Sequence, residues 1–239
     1  MTLTTNPYKF FGVSVKGPRH SRDHLRNQDA WYGHRHLTTT LVVICDGLGS
    51  RPQSDVGARI GCLAVRDALK IWAASQDPVA ENLFRLIKLI WEIRLAPHPP
   101  AEFATTCLFA ATLTNQRVLV AGLGDGIAAI RYPTQKIEVV SNRATDFTNH
   151  TLALGEPHKL TDWKYHMLDQ MNTGTAVLLA TDGIADDLRL DQLDGFINWL
   201  IEQFGPLSPI ERYHTLRSEL ANWPTPKHQD DKTIAMLYC

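Results

Sequence analysis

The sequence predicts an α+β domain of layered build, with helices packed on the outside of a pair of sheets. Three observations carry this. Short runs rich in Val, Ile and Leu recur along the chain, and runs of that length and composition read as buried strands. Amphipathic stretches long enough for helices come in two separated pairs. The order is strands, two helices, many strands, two helices and one strand, which suits helices covering a sheet pair.

Each element has its own justification. Residues 8–15 form the first strand, with Tyr8, Phe10 and Val13 among its apolar positions. Residues 16–27 are polar and basic, which is loop chemistry. The chain re-enters a strand through Asn27-Gln28-Asp29-Ala30-Trp31-Tyr32, and residues 39–45 make the next, which stops at Asp46. A tight Gly-rich turn follows, Asp46-Gly47-Leu48-Gly49-Ser50, and Ser54 or Asp55 can cap the helix after it. Gly57, Gly61, Ala64 and Ala68 share one face of that helix. Each glycine costs a helix interior up to ~1 kcal/mol, so two on one face indicate that the helix lies very close to the sheet. Asp77-Pro78 opens the second helix, with Leu83, Leu86, Ile87, Ile90 and Ile93 as its apolar stripe and Pro97-His98-Pro99-Pro100 as its stop.

Residues 103–113 then pair with 117–122 across a turn at Asn115-Gln116, and 127–131 pair with 136–141 around Pro133-Thr134. Residues 142–173 read as an irregular polar excursion, of a length that is often functional. Residues 191–204 are helical. Ser208-Pro209-Ile210-Glu211 is a capping box that starts a helix running to about Asn222, where Trp223-Pro224-Thr225-Pro226 breaks it. Residues 233–238 close the chain as a strand. Trp72, Trp91 and Trp199 sit at helical core spacing. There is no internal repeat, and residues 1–239 read as one domain.

Composition narrows the function. Of 239 residues, 24 are Lys or Arg and 25 Asp or Glu, a net charge of −1 that gives no support for nucleic-acid or membrane binding. No apolar run approaches the ~20 residues of a membrane helix, and the start has no secretion signal. A cytoplasmic protein is expected. The four cysteines show no CxxC and no Cys/His metal spacing, so reduced thiols are expected.

One device recurs: an apolar run that stops at an aspartate. It appears at Asp46-Gly47, at Asp125-Gly126 and at Asp182-Gly183, and inverted at Asp230-Asp231, where the acids precede the run. Asp-Gly is also the strongest short hairpin-turn signal, so turns are the plain alternative. If the last strand runs antiparallel to the others, however, all these acids meet at one edge. Like charges so placed repel, and an all-oxygen donor set suits hard Mg²⁺ or Mn²⁺.

The motifs Asn27-Gln28-Asp29, Asp46-Gly47-Leu48-Gly49-Ser50, Thr105-Thr106, Gly124-Asp125-Gly126, Thr181-Asp182-Gly183 and Asp230-Asp231-Lys232-Thr233 occur in this order. Together they resemble the metal-dependent serine/threonine protein phosphatases of type 2C, of a short bacterial subgroup, over nearly the whole chain. The resemblance implies a four-layer α-β-β-α sandwich, a central antiparallel β-sandwich flanked by helices. It implies two divalent metals, Mn²⁺ or Mg²⁺, at one end of the sandwich, with a bridging water that attacks phosphorus directly. Asp46 matches the bridging carboxylate and Gly47 the residue whose carbonyl binds one metal. Asp182 and Asp230 match the other ligands, Asp125 the acid of a third, weaker metal, and Asp29 an outer acid that binds metal-bound water. A phosphorylated protein substrate and a Ser/Thr kinase to oppose are implied as partners.

The chain departs from the family pattern in its phosphate loop. The position of the usual phosphate-gripping arginine is His24, and the acid of the first motif is Gln28. Arg22 and His20, with Arg26, are the cations that this loop offers instead. Two rivals remain. Cys45 and Arg51 have the spacing of a Cys-x5-Arg phosphatase loop, although a carboxylate beside the thiol disfavours the thiolate. The altered phosphate loop would also fit a weak or inactive module that binds a phosphorylated partner.

Overall fold

The computed structural model describes residues 7–36, 39–75, 79–113, 116–141, 151–223 and 229–239. In chain order the elements are β1 (Lys9–Val15), α1 (Pro18–Arg22), β2 (Asp29–His36), β3 (Thr39–Asp46), α2 (Ser54–Ala73), α3 (Ala80–Leu95), a 3₁₀ turn (Pro100–Phe103), β4 (Cys107–Thr112), β5 (Val118–Leu123), β6 (Ile127–Arg131) and β7 (Ile137–Val139). There follow a 3₁₀ turn (Leu160–Asp162), β8 (Lys164–Leu168), β9 (Ala176–Ala180), α4 (Asp182–Ala185), a 3₁₀ turn (Leu190–Gln192), α5 (Leu193–Phe204), α6 (Pro209–Ala221) and β10 (Lys232–Tyr238).

The strands form two antiparallel five-stranded sheets, in the orders β1-β10-β9-β6-β7 and β2-β3-β4-β5-β8. Side chains alternate between the faces of a strand, and both faces here are covered. Along β3, Val42 and Ile44 pack in the layer between the sheets, with Leu108, Ala128, Val177 and Leu237. Leu41, Val43 and Cys45 face the other way, into a layer with Val65, Ala68, Leu83, Ile87 and Trp91 of α2 and α3. On the far side Ile197, Leu200, Phe204, Leu216 and Leu220 of α5 and α6 cover Val13, Ile127, Leu178 and Met236. Two covered faces explain why the central strands read as unbroken apolar runs. The four-layer arrangement is as expected.

Helix α2 lies as close to its sheet as the glycines indicated. A Cβ on Gly61 would fall 2.9 Å from Cys45 Sγ of β3, and one on Gly57 would fall 1.7 Å from the carbonyl oxygen of Phe103 in the 3₁₀ turn. The capping box of α6 also forms, with Glu211 N–H donating to Ser208 Oγ at 3.3 Å and Ser208 N–H to Glu211 Oε2 at 3.2 Å.

Several expectations are corrected. The 16–27 loop contains the short helix α1, begun by Pro18. Gln53, not Ser54 or Asp55, holds the N-cap position of α2, and no side chain caps it. Asp55 instead pairs with Arg59 and Arg26. Asp77 and Pro78 lie outside the described residues. In α3, Leu83 and Ile87 are buried and Leu86 and Ile90 pack partly buried against the core as expected, but Ile93 is exposed, and Phe84, Trp91 and Leu95 complete the inward face. The indole fixes that rotation, because Trp91 Nε1 donates to the Gly57 carbonyl at 3.0 Å. The β4 strand starts at Cys107, since residues 100–103 coil into a 3₁₀ turn and Thr105 makes only isolated bridges, to Gly47 and Leu154. Finally, the polar excursion holds β8, an edge strand on β5 whose Lys164 and Tyr165 are exposed and hid its pattern.

Candidate active site

Strand register brings the acids together. Asp29 at the start of β2 stands opposite Asp46 at the end of β3. Ile234 of β10 pairs with Ala180 of β9, antiparallel, so the chain enters β10 at the rim where it leaves β9. Asp182 follows that exit and Asp230 precedes that entry. Ile127 of β6 also pairs with Ala180, which brings the β5–β6 turn with Asp125 to the same rim. Asp46, Gly47, Asp125, Asp182 and Asp230 accordingly line one cleft, a cavity of about 370 Å³.

The backbone around Asp46 is pinned. Its N–H donates to Thr106 Oγ1 at 3.0 Å, and its carbonyl accepts from Thr106 N–H at 2.8 Å and from Thr105 Oγ1 at 2.9 Å. Gly47 N–H donates to the Gln28 carbonyl at 3.0 Å, which ties this turn to the phosphate loop. Any side chain at Gly47 would collide with Ser54, whose carbonyl oxygen lies 2.6 Å from the Cβ position. At the neighbouring turn, Asp125 Oδ2 accepts from Thr151 Oγ1 at 2.9 Å.

The carboxylates of this rim are electrostatically crowded. Burial pushes the Asp46 carboxyl well above its usual range, and the charges of Asp29, Asp182 and Asp125 add to the rise. Burial also raises Asp182, to about 6, with Asp125, Asp230 and Asp186 adding to it, while a hydrogen bond from Asp46 works the other way. Asp29 is buried and pushed up to about 8, by burial first and then by Asp231 and Asp182, against the hydrogen bonds from Thr233 and Thr181. The Thr181 hydroxyl lies 2.8 Å from Asp29 Oδ2. Beneath the rim, Lys232 is buried and donates from Nζ to the Asp230 carbonyl at 3.1 Å. Burial lowers its pKa, and Asp187, Asp230, Asp231 and Asp29 oppose that fall. One buried ammonium does not match this many acids. A set of oxygen donors held against mutual repulsion fits hard divalent cations, and Asp46, Gly47, Asp125, Asp182 and Asp230 are the cleft residues that could hold them.

The phosphate loop is placed differently from its expected use. His20 is buried, with Nδ1 2.8 Å from Asp231 Oδ2. Asp231 also accepts from Gly17 N–H at 2.7 Å and from Gln28 N–H at 2.6 Å. His20 therefore serves as an anchor of the loop. Arg22 is exposed and turned to Asp23 and Gln229, and Arg26 reaches toward Asp55. None of the three is among the residues that line the cleft. Possible ligand atoms of His20, Asp230 and Asp231 lie within 4.8 Å of one another, but the Asp231 oxygens are already taken by the donors just named.

The Cys45 rival fails on the same geometry. Cys45 is wholly buried in the layer under α2, and burial, with Cys107 and Cys62 beside it, pushes its thiol well above the usual range. What sequence reasoning missed is Arg51 as a cleft residue, paired with Glu156. Arg51 showed only as half of the Cys-x5-Arg spacing, and Glu156 lay in the stretch without periodicity.

The comparisons agree with this architecture. The family model for protein phosphatase 2C matches residues 16–223. No curated protein matches the chain in sequence. A crystal structure of a bacterial serine phosphatase carrying an arginine-to-lysine mutation is 19% identical, covers 97% of this chain and 96% of its own, and has a TM-score of 0.63. The photosystem II phosphatase PBCP is 14% identical over 97% of this chain and 98% of its own, with a TM-score of 0.68. The catalytic domain of the serine/threonine phosphatase PstP, solved with two manganese ions, is 16% identical over 97% of each chain, with a TM-score of 0.59. At these identities the likeness is one of fold. No helix among the described residues is long and apolar enough to cross a membrane.

Proposed function

This chain belongs to the protein phosphatase 2C family, the metal-dependent serine/threonine protein phosphatases, and from that premise we propose that it hydrolyses phosphoserine and phosphothreonine in proteins through a pair of divalent cations held by Asp46, Gly47, Asp182 and Asp230. The observation that carries the reading is the crowding of these acids around one cleft, with Asp46 and Asp182 both held above the usual carboxylate range by burial and by one another's neighbours. Bound there, two Mn²⁺ or Mg²⁺ ions would supply charge neutralisation and acidify a water between them.

The protein's own contribution is placement. The Thr105 and Thr106 contacts fix the Asp46 backbone, so its carboxylate faces the cleft from a rigid strand end. Asp29, opposite Asp46 on β2 and close enough to Asp182 to feel its charge, is the candidate outer acid, one that would accept a hydrogen bond from water. Asp125, which lines the same cleft and is steadied by Thr151, is the candidate ligand of a third ion. A single domain over residues 1–239, a cytoplasmic location and a kinase-opposing role complete the proposal.

The test is hydrolysis of p-nitrophenyl phosphate and a phosphothreonine peptide with Mn²⁺, with Mg²⁺ and with EDTA. Activity should require the metal and fall about 10²- to 10³-fold in Asp182→Asn, the range typical of losing a group that stabilises transition-state charge. A folded, metal-loaded protein that hydrolyses neither substrate refutes the reading.

A further inference from the structure

A phosphatase site that holds carboxylates needs a fixed cation for the phosphoryl oxygens, and the phosphate loop of this chain does not supply one. Its candidates do not line the cleft: His20 is buried against Asp231, and the exposed Arg22 and Arg26 turn toward Asp23 and Asp55. Among the described residues lining the cleft, Arg51 is the one Lys or Arg. It lies in the turn that leaves Asp46 and Gly47, and its N–H closes that turn on the Leu48 carbonyl at 2.8 Å. Its guanidinium is only half used. Nη2 meets Glu156, while Nε is buried without a hydrogen-bond partner among the described residues. A planar fork with an unspent buried donor, beside acids built for cations, suits an oxyanion with several acceptors.

Glu156 comes from a different part of the chain and is held firmly. Two residues earlier, Leu154 and Thr105 exchange backbone hydrogen bonds of 2.8 and 3.0 Å. The segment that presents Glu156 is thus bridged to the residue that pins Asp46. The carboxylate is mostly buried, at 18% exposure, and the arginine is at 37%.

We propose that Arg51 is the residue that binds the substrate's phosphoryl group, in place of the arginine missing from the phosphate loop, and that Glu156 holds it across the cleft until that group arrives. The proposal rests on the phosphatase reading above for the meaning of the cleft. The phosphate dianion and the Glu156 carboxylate compete for the same guanidinium. Binding exchanges one charge-assisted pair for another and brings the buried Nε into use. Removing Glu156's charge therefore strengthens phosphate binding, and removing the guanidinium weakens it.

The experiment titrates inorganic phosphate calorimetrically into Mn²⁺-loaded parent, Arg51→Ala, Arg51→Lys, Glu156→Gln and Arg22→Ala. Loss of a charge-assisted pair to an arginine predicts phosphate binding about 10- to 100-fold weaker in Arg51→Ala. Arg51→Lys should recover part of it, Glu156→Gln should bind severalfold tighter, and Arg22→Ala should match the parent. KM for p-nitrophenyl phosphate should follow the same order, with Mn²⁺ affinity unchanged throughout. Parental phosphate binding in Arg51→Ala overturns the inference, as does a matching loss of Mn²⁺ affinity, which would make Arg51 a structural residue. The readings separate cleanly. A parent that binds phosphate through Arg51 but hydrolyses nothing keeps the inference and loses the proposed activity. A metal-dependent enzyme indifferent to Arg51 does the reverse.

Discussion

The metal-free protein should become less stable as pH rises through the carboxylate range, and Asp182→Asn should remove part of that loss. Asp182 has a folded-state pKa of about 6 against an ordinary 3.8, raised chiefly by burial. Between these values the folded state holds a proton that the unfolded chain has released. Stability therefore falls as pH rises from about 4 to about 6, and stays lower above that. The difference of about 2 units corresponds to about 3 kcal/mol; because the side chain is partly open to solvent, about 1–3 kcal/mol is the working range. An asparagine has no proton to hold, and its Oδ1 can still accept from Asp46. In EDTA, Asp182→Asn should match the parent near pH 4 and exceed it near pH 8, by roughly 2–10 °C in midpoint for a chain of this size. With Mn²⁺ at about 100 times Kd the order should reverse, since the parent gains about 2.7 kcal/mol per site and the variant has lost a ligand. Differential scanning fluorimetry over pH 4–8, with and without metal, reads both effects. A metal-free variant less stable than the parent at pH 8 would refute the account of the crowded rim.

Two further changes probe the scaffold. Asp231→Ala leaves the N–H groups of Gly17 and Gln28 and the His20 ring without their buried partner, which should cost about 3–5 kcal/mol in urea denaturation; Asp231→Asn, which keeps one acceptor, should cost less. Gly57→Ala should destabilise by about 1–3 kcal/mol or more, despite alanine's better helix propensity, because its methyl would overlap the Phe103 carbonyl; an unchanged midpoint would mean that the 3₁₀ turn can give way to α2.

Much of this molecule was legible because its elements obey local rules. The central strands are covered on both faces, so their apolar runs are unbroken and their ends are marked by aspartates. The glycine face of α2 and the Ser208 capping box are backbone requirements written in residue type. The elements that escaped were those set by partners elsewhere. β8 forms because β5 offers an open edge, not because Lys164-Tyr165-His166 favours a strand. Ile93 faces outward because Trp91 anchors α3 to Gly57, which amphipathic spacing alone does not encode. In the cleft, positions next to the apolar runs were readable as acids at a rim. The Arg51–Glu156 pair joins residues 105 positions apart, one of them in a stretch without periodicity.

Asp230 and Asp231 show what separates an acid that builds the fold from one left for chemistry. They are neighbours of the same type at the entry to β10. Asp231 is buried and receives Gly17 N–H, Gln28 N–H and the His20 ring, so its charge is met within the protein. The Asp230 carboxylate receives only the N–H of Asp231 among the described residues and opens into the cleft. Asp46 shows the same division within one residue, for its backbone is held by two threonines while its carboxylate faces Asp29, Asp182 and Asp125. A fold optimised for stability alone would not leave these charges opposed, since each neutral replacement relieves repulsion. The crowded charge is confined to the rim where four chain segments end; hydroxyls of Thr181 and Thr151 reach Asp29 and Asp125, while Thr105 and Thr106 fix the Asp46 backbone. That division is what the proposed cation site requires, and it fits an Arg51 that is paired with a glutamate rather than with the acids themselves.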